Sequence, residues 1–526
     1  MAPSRHRTGS LRSVTLVVAL LAGCGAPGPG SASPGSPGSP ASPTPATSPA
    51  ATVAPTQTPT PAPVLTPLAV VTRVDDTRQQ VDPAALAAAV AAGTVTIPCG
   101  VASLEIAGRA VPAPVACRPA DQVVAAMRSG AAGALGLLPP GLVVPQVKVL
   151  AVGSADLFGS QALRSVPYPL QATLAPTTGW PDAWTAYAVG EIRTLVSTGD
   201  TCPDRGVSHM ANVVGKGWDW VLGGGTARYT GTHWDSSYGW YVVDARRTGD
   251  TGKVRALIAD ADVAVDDFEC PMFSGFVQHD TGTVFSIDPR VAPAMARAGY
   301  DLVTLGSNHI TDGGTRGVRE TLADLDAVGI KHVGAGLDLA GALAPAVVDV
   351  RGVRFAFVGW DDIAGSGAAA AGRPGVAPMT DANVRTSLAA AARAGDVVIA
   401  MPQWGWPEYH ADFTKQQLAQ RALFYASGAN HILGSGTHWA GAISITPGQD
   451  GSQLAVTSHG NFLFDQSWSR QTEEGVIVEA AFVGTRLAQV RLHPYVVLDE
   501  AQPNLVDPTT DGAFVLKQVF SVSEIR

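Results

Sequence analysis

Asp301-Leu-Val-Thr-Leu-Gly-Ser-Asn-His-Ile-Thr-Asp-Gly-Gly314 is the stretch on which the fold of this chain turns. Leu302 to Leu305 is a short apolar run with helical patterns on either side, which predicts a buried strand. The run breaks at Gly306-Ser307 and delivers Asn308 and His309 side by side; Asp312 and two glycines follow, and Thr315 opens a new helix. In an open α/β sheet, ligands sit at the carboxyl ends of strands, so this polar cluster falls where a site belongs. Asn offers a neutral oxygen to a hard cation, and His ligates or transfers protons. On these residues alone, a capped helix start with one polar loop histidine is an equal reading.

The same pattern recurs outward from this stretch. From Gly190 onward, strands and helices alternate, which predicts a layered α/β architecture. Arg193 to Thr198 ends in Gly199-Asp200, and Val263 to Asp266 ends in Asp267-Phe268-Glu269. Val397 to Met401 ends in Gln403-Trp404-Gly405, with Glu408 close behind. His431 to Leu433 ends in Gly434-Ser-Gly-Thr-His438, and Leu454 to Ser458 ends in His459-Gly460-Asn461-Phe462. One such end is ordinary turn chemistry. Six in succession place carboxylates, Asn and His at one edge of a sheet, the mixed donor set of a di-metal hydrolase.

Residues 1–24 read as a lipoprotein signal peptide. Arg5, Arg7 and Arg12 form a basic start, and Val14 to Leu21 is an apolar core too short to span a bilayer. Leu21-Ala22-Gly23-Cys24 resembles a bacterial lipobox with Cys24 as the lipidated residue, an ordinary secretory peptide being the alternative. Cleavage before Cys24 removes three arginines and no acid, taking the formal charge from −9 to −12. That acidity argues against nucleic acid as a partner, since such a partner requires a basic footprint. Residues 25–67 form a linker: from Gly25 to Pro63 every residue is Gly, Ala, Pro, Ser or Thr except Val53 and Gln57. Such a composition cannot bury a core, and its prolines predict a disordered stalk spanning on the order of 100 Å. The expected location is the extracellular face of the bacterial cell membrane, lipid-anchored.

Residues 68–186 read as a small α/β domain. Leu68 to Val71 and Val147 to Val152 are strand patterns, Asp82-Pro83 caps an Ala-rich helix that Gly93 ends, and Ala120 to Arg128 is a second helix. Gly136-Leu-Leu-Pro-Pro140, Val147-Lys-Val-Leu-Ala-Val152 and Tyr168-Pro-Leu170 are similar to one lobe of phosphate-type extracellular solute-binding proteins. A spacer or docking module is an equal reading. Cys99 and Cys117 flank a short apolar loop and are expected to pair in an exported protein. Between Gly217 and Tyr241 lie Trp218, Trp220, Tyr229, Trp234, Tyr238, Trp240 and Tyr241, embedded in Gly, Ser and Thr. Aromatics on a Gly-rich loop line a groove for a polymer or glycan, or pack a local subcore around an insertion.

From roughly Arg193 to Pro494 these motifs resemble the capsule-biosynthesis CapA family, associated with poly-γ-glutamate capsule, whose domain is related to calcineurin-like metallophosphoesterases. The resemblance rests on the Gly199-Asp200 turn, Asp262 through Glu269, Gly299 through Gly314 and Thr321 through Gly336. Trp404 through Tyr409, Gly428 through His438, and Gly460-Asn461-Phe462 extend it. It implies a layered metallophosphoesterase-like sandwich at 190–500, with 501–526 as a C-terminal extension. It also implies that Asp200, Glu269, Asn308 and His438 hold a metal. His309 would be the catalytic proton donor to a leaving group, since imidazole titrates near neutral pH. Asp267, Gln403, His459 and Asn461 are additional site candidates. Cys202 and Cys270 each follow a motif carboxylate, and adjacent strand ends would bring them together as a disulfide bracing the site.

The departures from the family pattern bear on the metal count. Asp267-Phe268-Glu269 stands for Asn-x-Glu, Gln403-Trp404-Gly405 for His-Trp-Gly, and Gly436 for the first histidine of a Gly-x-His-x-His segment. By the resemblance, both missing histidines would serve one second metal; His459 is the residue that could compensate for them. One divalent ion per chain, Mn²⁺ or Zn²⁺, is therefore expected rather than two. The function implied is a metal-dependent hydrolase or transferase in capsule polymer assembly or attachment. The alternative is a non-catalytic scaffold on the same fold. Expected partners are the membrane through the lipid anchor, an anionic capsule polymer or cell-wall glycan, and a membrane polymer synthase.

Overall fold

Two sheets lie face to face because their central strands are apolar on both sides. Along the strand Val353–Asp361, Phe355 and Phe357 enter the core between the sheets, while Ala356 and Val358 enter a second core under helices. Val397–Gln403 repeats the pattern, with Val397, Ile399 and Met401 inward and Val398 and Ala400 outward. In the facing sheet Val263 and Val265 point inward, and Ala264 and Phe268 point to helices on the far side. Strands buried on both faces read as continuous apolar runs, which is why the sequence exposes them. Helices Val291–Ala298 and Gly314–Val328 cover one outer face, and Asp381–Ala394 and Lys415–Ala426 cover the other. The layered α/β fold expected from the sequence is the one observed.

The computed structural model describes residues 65–112, 116–174, 189–363, 367–449 and 451–526. The signal-peptide segment with Cys24, the linker up to residue 64, and residues 175–188 of the small domain lie outside the described residues. Leu65–Pro67, read as the end of the linker, is already a strand, paired with Leu170–Leu174.

Among the described residues the larger sheet has nine strands. Ile192–Thr201, Val263–Phe268, Leu302–Thr304 and Lys331–Val333 run parallel, while Glu474–Val483, Arg486–Leu498 and Gln502–Leu505 continue antiparallel from the first. The smaller sheet has seven, with Val353–Asp361, Val397–Gln403, His431–Leu433 and Gly451–Val456 parallel at its centre. This corrects the expectation of polar ends along one sheet edge: three of the six ends belong to each sheet. The chain changes sheets after Val333, and doubly buried runs carry no mark of which sheet they join. Gly306 sits where the two sheets come close, and a Cβ there would lie 2.7 Å from the Trp360 backbone nitrogen.

Two further readings change. Residues 501–526 are not an extension. Gln502–Leu505 joins the larger sheet, Glu524–Ile525 joins the smaller one, and Val515, Leu516 and Val519 of helix Ala513–Ser521 enter the core between them. The aromatic segment is not a Gly-rich loop but largely a long antiparallel hairpin, Thr226–Asp235 with Trp240–Gly249. Trp218 packs into the core, whereas Trp234, Tyr238, Trp240 and Tyr241 stay exposed.

Residues 65–174 carry two sheets of their own, of four and five strands, and pack on the larger sheet. Ala69, Val71, Val149 and Phe158 share a core with Ile192, Ala481 and Ala488, and the Gln489 amide oxygen accepts the Val149 N–H at 2.7 Å. Buried Arg491 reaches across the same seam to Asp156 at 2.7 Å, and lies 3.4 Å from its own cross-strand partner Glu479.

Both expected cysteine pairs are joined, Cys99 to Cys117 and Cys202 to Cys270. The second pair ties the ends of the neighbouring parallel strands Ile192–Thr201 and Val263–Phe268 across a sequence separation of 68. Closing a loop of that length restricts the unfolded chain, so replacing both Cys202 and Cys270 by Ala is expected to cost about 2–5 kcal/mol. Denaturant midpoints of the oxidised proteins measure it; an unchanged midpoint would show that the bridge adds nothing.

Candidate metal centre

Asp200 lies near the end of its strand at φ +50°, a conformation costly for a residue with a side chain unless its surroundings hold it there. What holds it is the loop after His431–Leu433. The Asp200 Oδ1 accepts the Gly436 N–H and its Oδ2 accepts the His438 N–H, both at 2.9 Å. The carboxylate is fully buried, and burial pushes its pKa up against the pull of His438 and of those two amides. His438 itself sits at φ +57°, so two strained residues from facing sheets fix one another.

The His438 ring is held as tightly. Asn461 donates its amide nitrogen to Gln466 at 3.2 Å and to the Thr472 carbonyl at 3.1 Å, which turns its oxygen toward His438 Nδ1 at 2.8 Å. Nδ1 therefore carries the proton, and Nε2 keeps a free lone pair, the arrangement a metal-binding imidazole needs. Asn461, a site candidate from sequence, is thus a positioning residue. Donor atoms of Asp200, Glu269 and His438 all lie within 4.8 Å of one another.

The remaining acids make the site strongly anionic. Asp267 and Glu269 are buried, and both Asp267 oxygens and one Glu269 oxygen have no hydrogen-bond partner. Their carboxyl pKa values rise well above the ordinary range, through burial first and then the Asp200 charge. Beneath them Asp266 accepts Thr201 at 3.1 Å and is held by the Thr198 hydroxyl, and burial lifts it to about 7. Clustered buried carboxylates without partners are costly unless a cation compensates them. The orphaned oxygens and the carboxylate–imidazole donor set fit a divalent metal.

Gln403 and Gly436, the two departures from the family histidines, are neighbours. A Cβ on Gly436 would lie 2.8 Å from the Gln403 Cδ, and Gly436 adopts φ +92°. Gln403 thus fills the space that a side chain at 436 would need, with its Oε1 accepting the Ser435 hydroxyl at 3.0 Å. His459 is buried with neither ring nitrogen partnered, and burial pushes its pKa down to about 4. It stands beside Gly199, where a Cβ would lie 3.2 Å from its Nδ1, and outside the Asp200–Glu269–His438 group.

Asn308 follows the short strand Leu302–Thr304, half-buried, its Oδ1 accepting the Ser307 hydroxyl at 3.3 Å. His309 next to it is held by Asp312, whose Oδ2 takes the His309 Nδ1–H and the Phe285 N–H, each at 2.9 Å. The Phe285 edge packs on the imidazole at 4.6 Å between centroids. The sequence placed Glu408 close behind the Gln403 strand end and Tyr409 in a family motif, without giving either a role in the site. Half-buried Glu408 lies in the field of His438, Asp200 and His309, and burial raises its pKa. The Tyr409 ring stacks on His438 at 5.5 Å. The acid four residues beyond Trp404 was the available signal.

Fold and site together define a layered α/β protein with a buried carboxylate–imidazole cluster where its two sheets meet. The family model described as "Bacterial capsule synthesis protein PGA_cap" matches residues 194–466, just over half of the 526 residues, and the chain belongs to that family. It is 26% identical over 228 residues to the "PGA biosynthesis protein CapA" of Bacillus subtilis (strain 168), covering 43% of this chain and 59% of that protein. Against the "Capsule biosynthesis protein CapA" of Bacillus anthracis it is 25% identical over 275 residues, covering 51% and 65%. The chain thus matches less than two thirds of either relative's length. The solved calcineurin-like phosphoesterase YfkN of Bacillus subtilis aligns over 62% of this chain and 98% of its own, at 12% identity and a TM-score of 0.29, too low to carry an argument.

Proposed function

We propose that this protein is a lipid-anchored, extracellular metal-dependent hydrolase or transferase that acts in capsule polymer assembly or attachment. The observation that carries the enzyme reading is the buried Asp200–Glu269–His438 donor group, with unpartnered carboxylate oxygens beside it. These three residues, with Asn308 as the fourth expected ligand, would hold one divalent ion, Mn²⁺ or Zn²⁺. When bound, such an ion polarises a phosphoryl or carbonyl oxygen as a Lewis acid. Asn461 keeps His438 in the tautomer that ligates. Asp312 holds the Nδ1–H of His309, leaving Nε2 as the ring atom that carries a proton to a leaving group.

Elemental analysis of the purified chain, together with turnover of a nitrophenyl phosphodiester, tests this reading. One metal per chain with metal-dependent turnover is expected. No metal at any concentration, and no turnover, would leave the scaffold alternative, a polymer-binding protein on the same fold. For the anchor, mature protein is expected to begin at Cys24 and to partition into detergent, with Cys24→Ser releasing it to the medium. Intact mass showing cleavage elsewhere without acyl chains would remove that part of the proposal.

A further inference from the structure

An aromatic lane runs outward from the metal centre. Tyr409 stacks on His438 with ring planes 25° apart, and Trp468 meets Tyr409 at 6.0 Å between centroids. Tyr238, in the turn of the long hairpin, lies 6.1 Å from Trp468, and Trp240 lies 6.1 Å from Trp439, the neighbour of His438. Successive side chains of a strand alternate across it, so Tyr241 leaves this face and packs on Trp234 at 5.1 Å instead. The lane is open: Tyr238 is 60%, Trp240 44% and Tyr409 38% exposed. Contiguous exposed rings of this kind forgo burial that would otherwise stabilise the fold, and such patches mark binding surfaces.

The charges around the lane select its ligand. Among the described residues no Lys or Arg lies over the rings of Tyr238, Trp240, Tyr409, Trp439 or Trp468. Asp235 accepts the Ser237 N–H in the hairpin turn beside Tyr238, Glu408 interacts with Tyr409 and His438 at the metal centre, and the chain carries a formal charge of −9. A polyanion would meet repulsion from these acids, and the arginines near the inner end of the lane, Arg205 over Phe464 and Arg470 two residues from Trp468, are already paired with Asp465 and Glu474. A sugar ring offers what these groups accept: an apolar C–H face for the aromatic rings, and hydroxyls that donate to carboxylates. The centroid steps of 5.5–6.1 Å are comparable with the length of one sugar ring.

We infer that the lane binds a glycan strand of the cell-wall class and leads it to the metal centre. The inference rests on the polymer-handling reading above and names the ligand. Isothermal titration of the purified chain with β-1,4-linked N-acetylglucosamine oligosaccharides, and co-sedimentation with isolated cell-wall sacculi, test it. Both are run in EDTA, so that failure of the metal reading does not masquerade as failure of this one. Binding is expected for the parent chain and at least tenfold weaker for Tyr238→Ala/Trp240→Ala, while Trp234→Ala, on the opposite face, binds as the parent does. Thermal melting keeps a folding defect from being read as lost contact. Should the double variant unfold, the single variants Tyr238→Leu and Trp240→Leu carry the comparison. Failure of the parent to bind either probe, or equal binding by the variants, overturns the inference. Tighter binding of poly-γ-glutamate than of the glycans, lost in the same variants, overturns the glycan assignment in favour of a polyanion. A concentration-dependent dimer abolished by the variants would instead make the lane an interface between copies.

Discussion

His438→Ala is expected to strip the divalent metal from the purified chain, from about one ion to less than a tenth. Asp200, Glu269 and His438 come from three separate elements, and His459, the nearest unpartnered imidazole in sequence, stands outside the group. Elemental analysis reads the loss directly, and thermal melting reads it through linkage. At a metal concentration a hundredfold above Kd, a single site stabilises by about 2.7 kcal/mol, and that gain should vanish in the variant. Asn461→Ala acts one step removed. It frees the His438 tautomer without removing a donor and should weaken binding by roughly 10–100-fold. Asp200→Ala combines both losses, because it also leaves the buried Gly436 and His438 amides without acceptors. Full metal retention in His438→Ala would place the metal elsewhere, with Asp267 and His459 as the donors to test next.

His309→Ala is the second large effect, and it should separate chemistry from metal binding. The His309 ring is fastened to Asp312 and Phe285 rather than to the metal ligands, so the ion should stay at parental occupancy. Turnover of a model phosphodiester is expected to fall by about 10²–10⁴-fold, the usual contribution of a positioned acid. Asp312→Asn should fall less, since the ring remains but loses the carboxylate that orients it. Unchanged turnover in His309→Ala would remove it as the proton donor and turn attention to Glu408.

Much of this was legible in the sequence for a plain reason. Runs such as Val263–Phe268 and Val397–Gln403 are buried on both faces, so their apolar character survives without alternation, and each ends in the residues that make the site. What escaped lacks such a pattern. Gln502–Leu505 contains a proline, and Glu524–Ile525 has two residues, so neither carries a period to read. The hairpin Thr226–Asp235 with Trp240–Gly249 is exposed along much of its length; its threonines and aromatics signal strand by propensity, but no apolar alternation supports it. Asn461 illustrates a different limit. Its place in a family motif marked it as an additional site candidate, but only the hydrogen bonds to Gln466 and Thr472 reveal which end of the amide faces His438.

The strands that finish both sheets come from the far end of the chain. Ile192–Thr201 pairs with Glu474–Val483, and Glu524–Ile525 adds to the smaller sheet beside Ile443–Gly448. A chain delivered from its N-terminus, by ribosome or by export channel, therefore holds half-built sheets with unpaired edges until residue 525 emerges. Shielding that intermediate from self-association becomes a requirement of its biogenesis, and a stall late in delivery would be more damaging than one early.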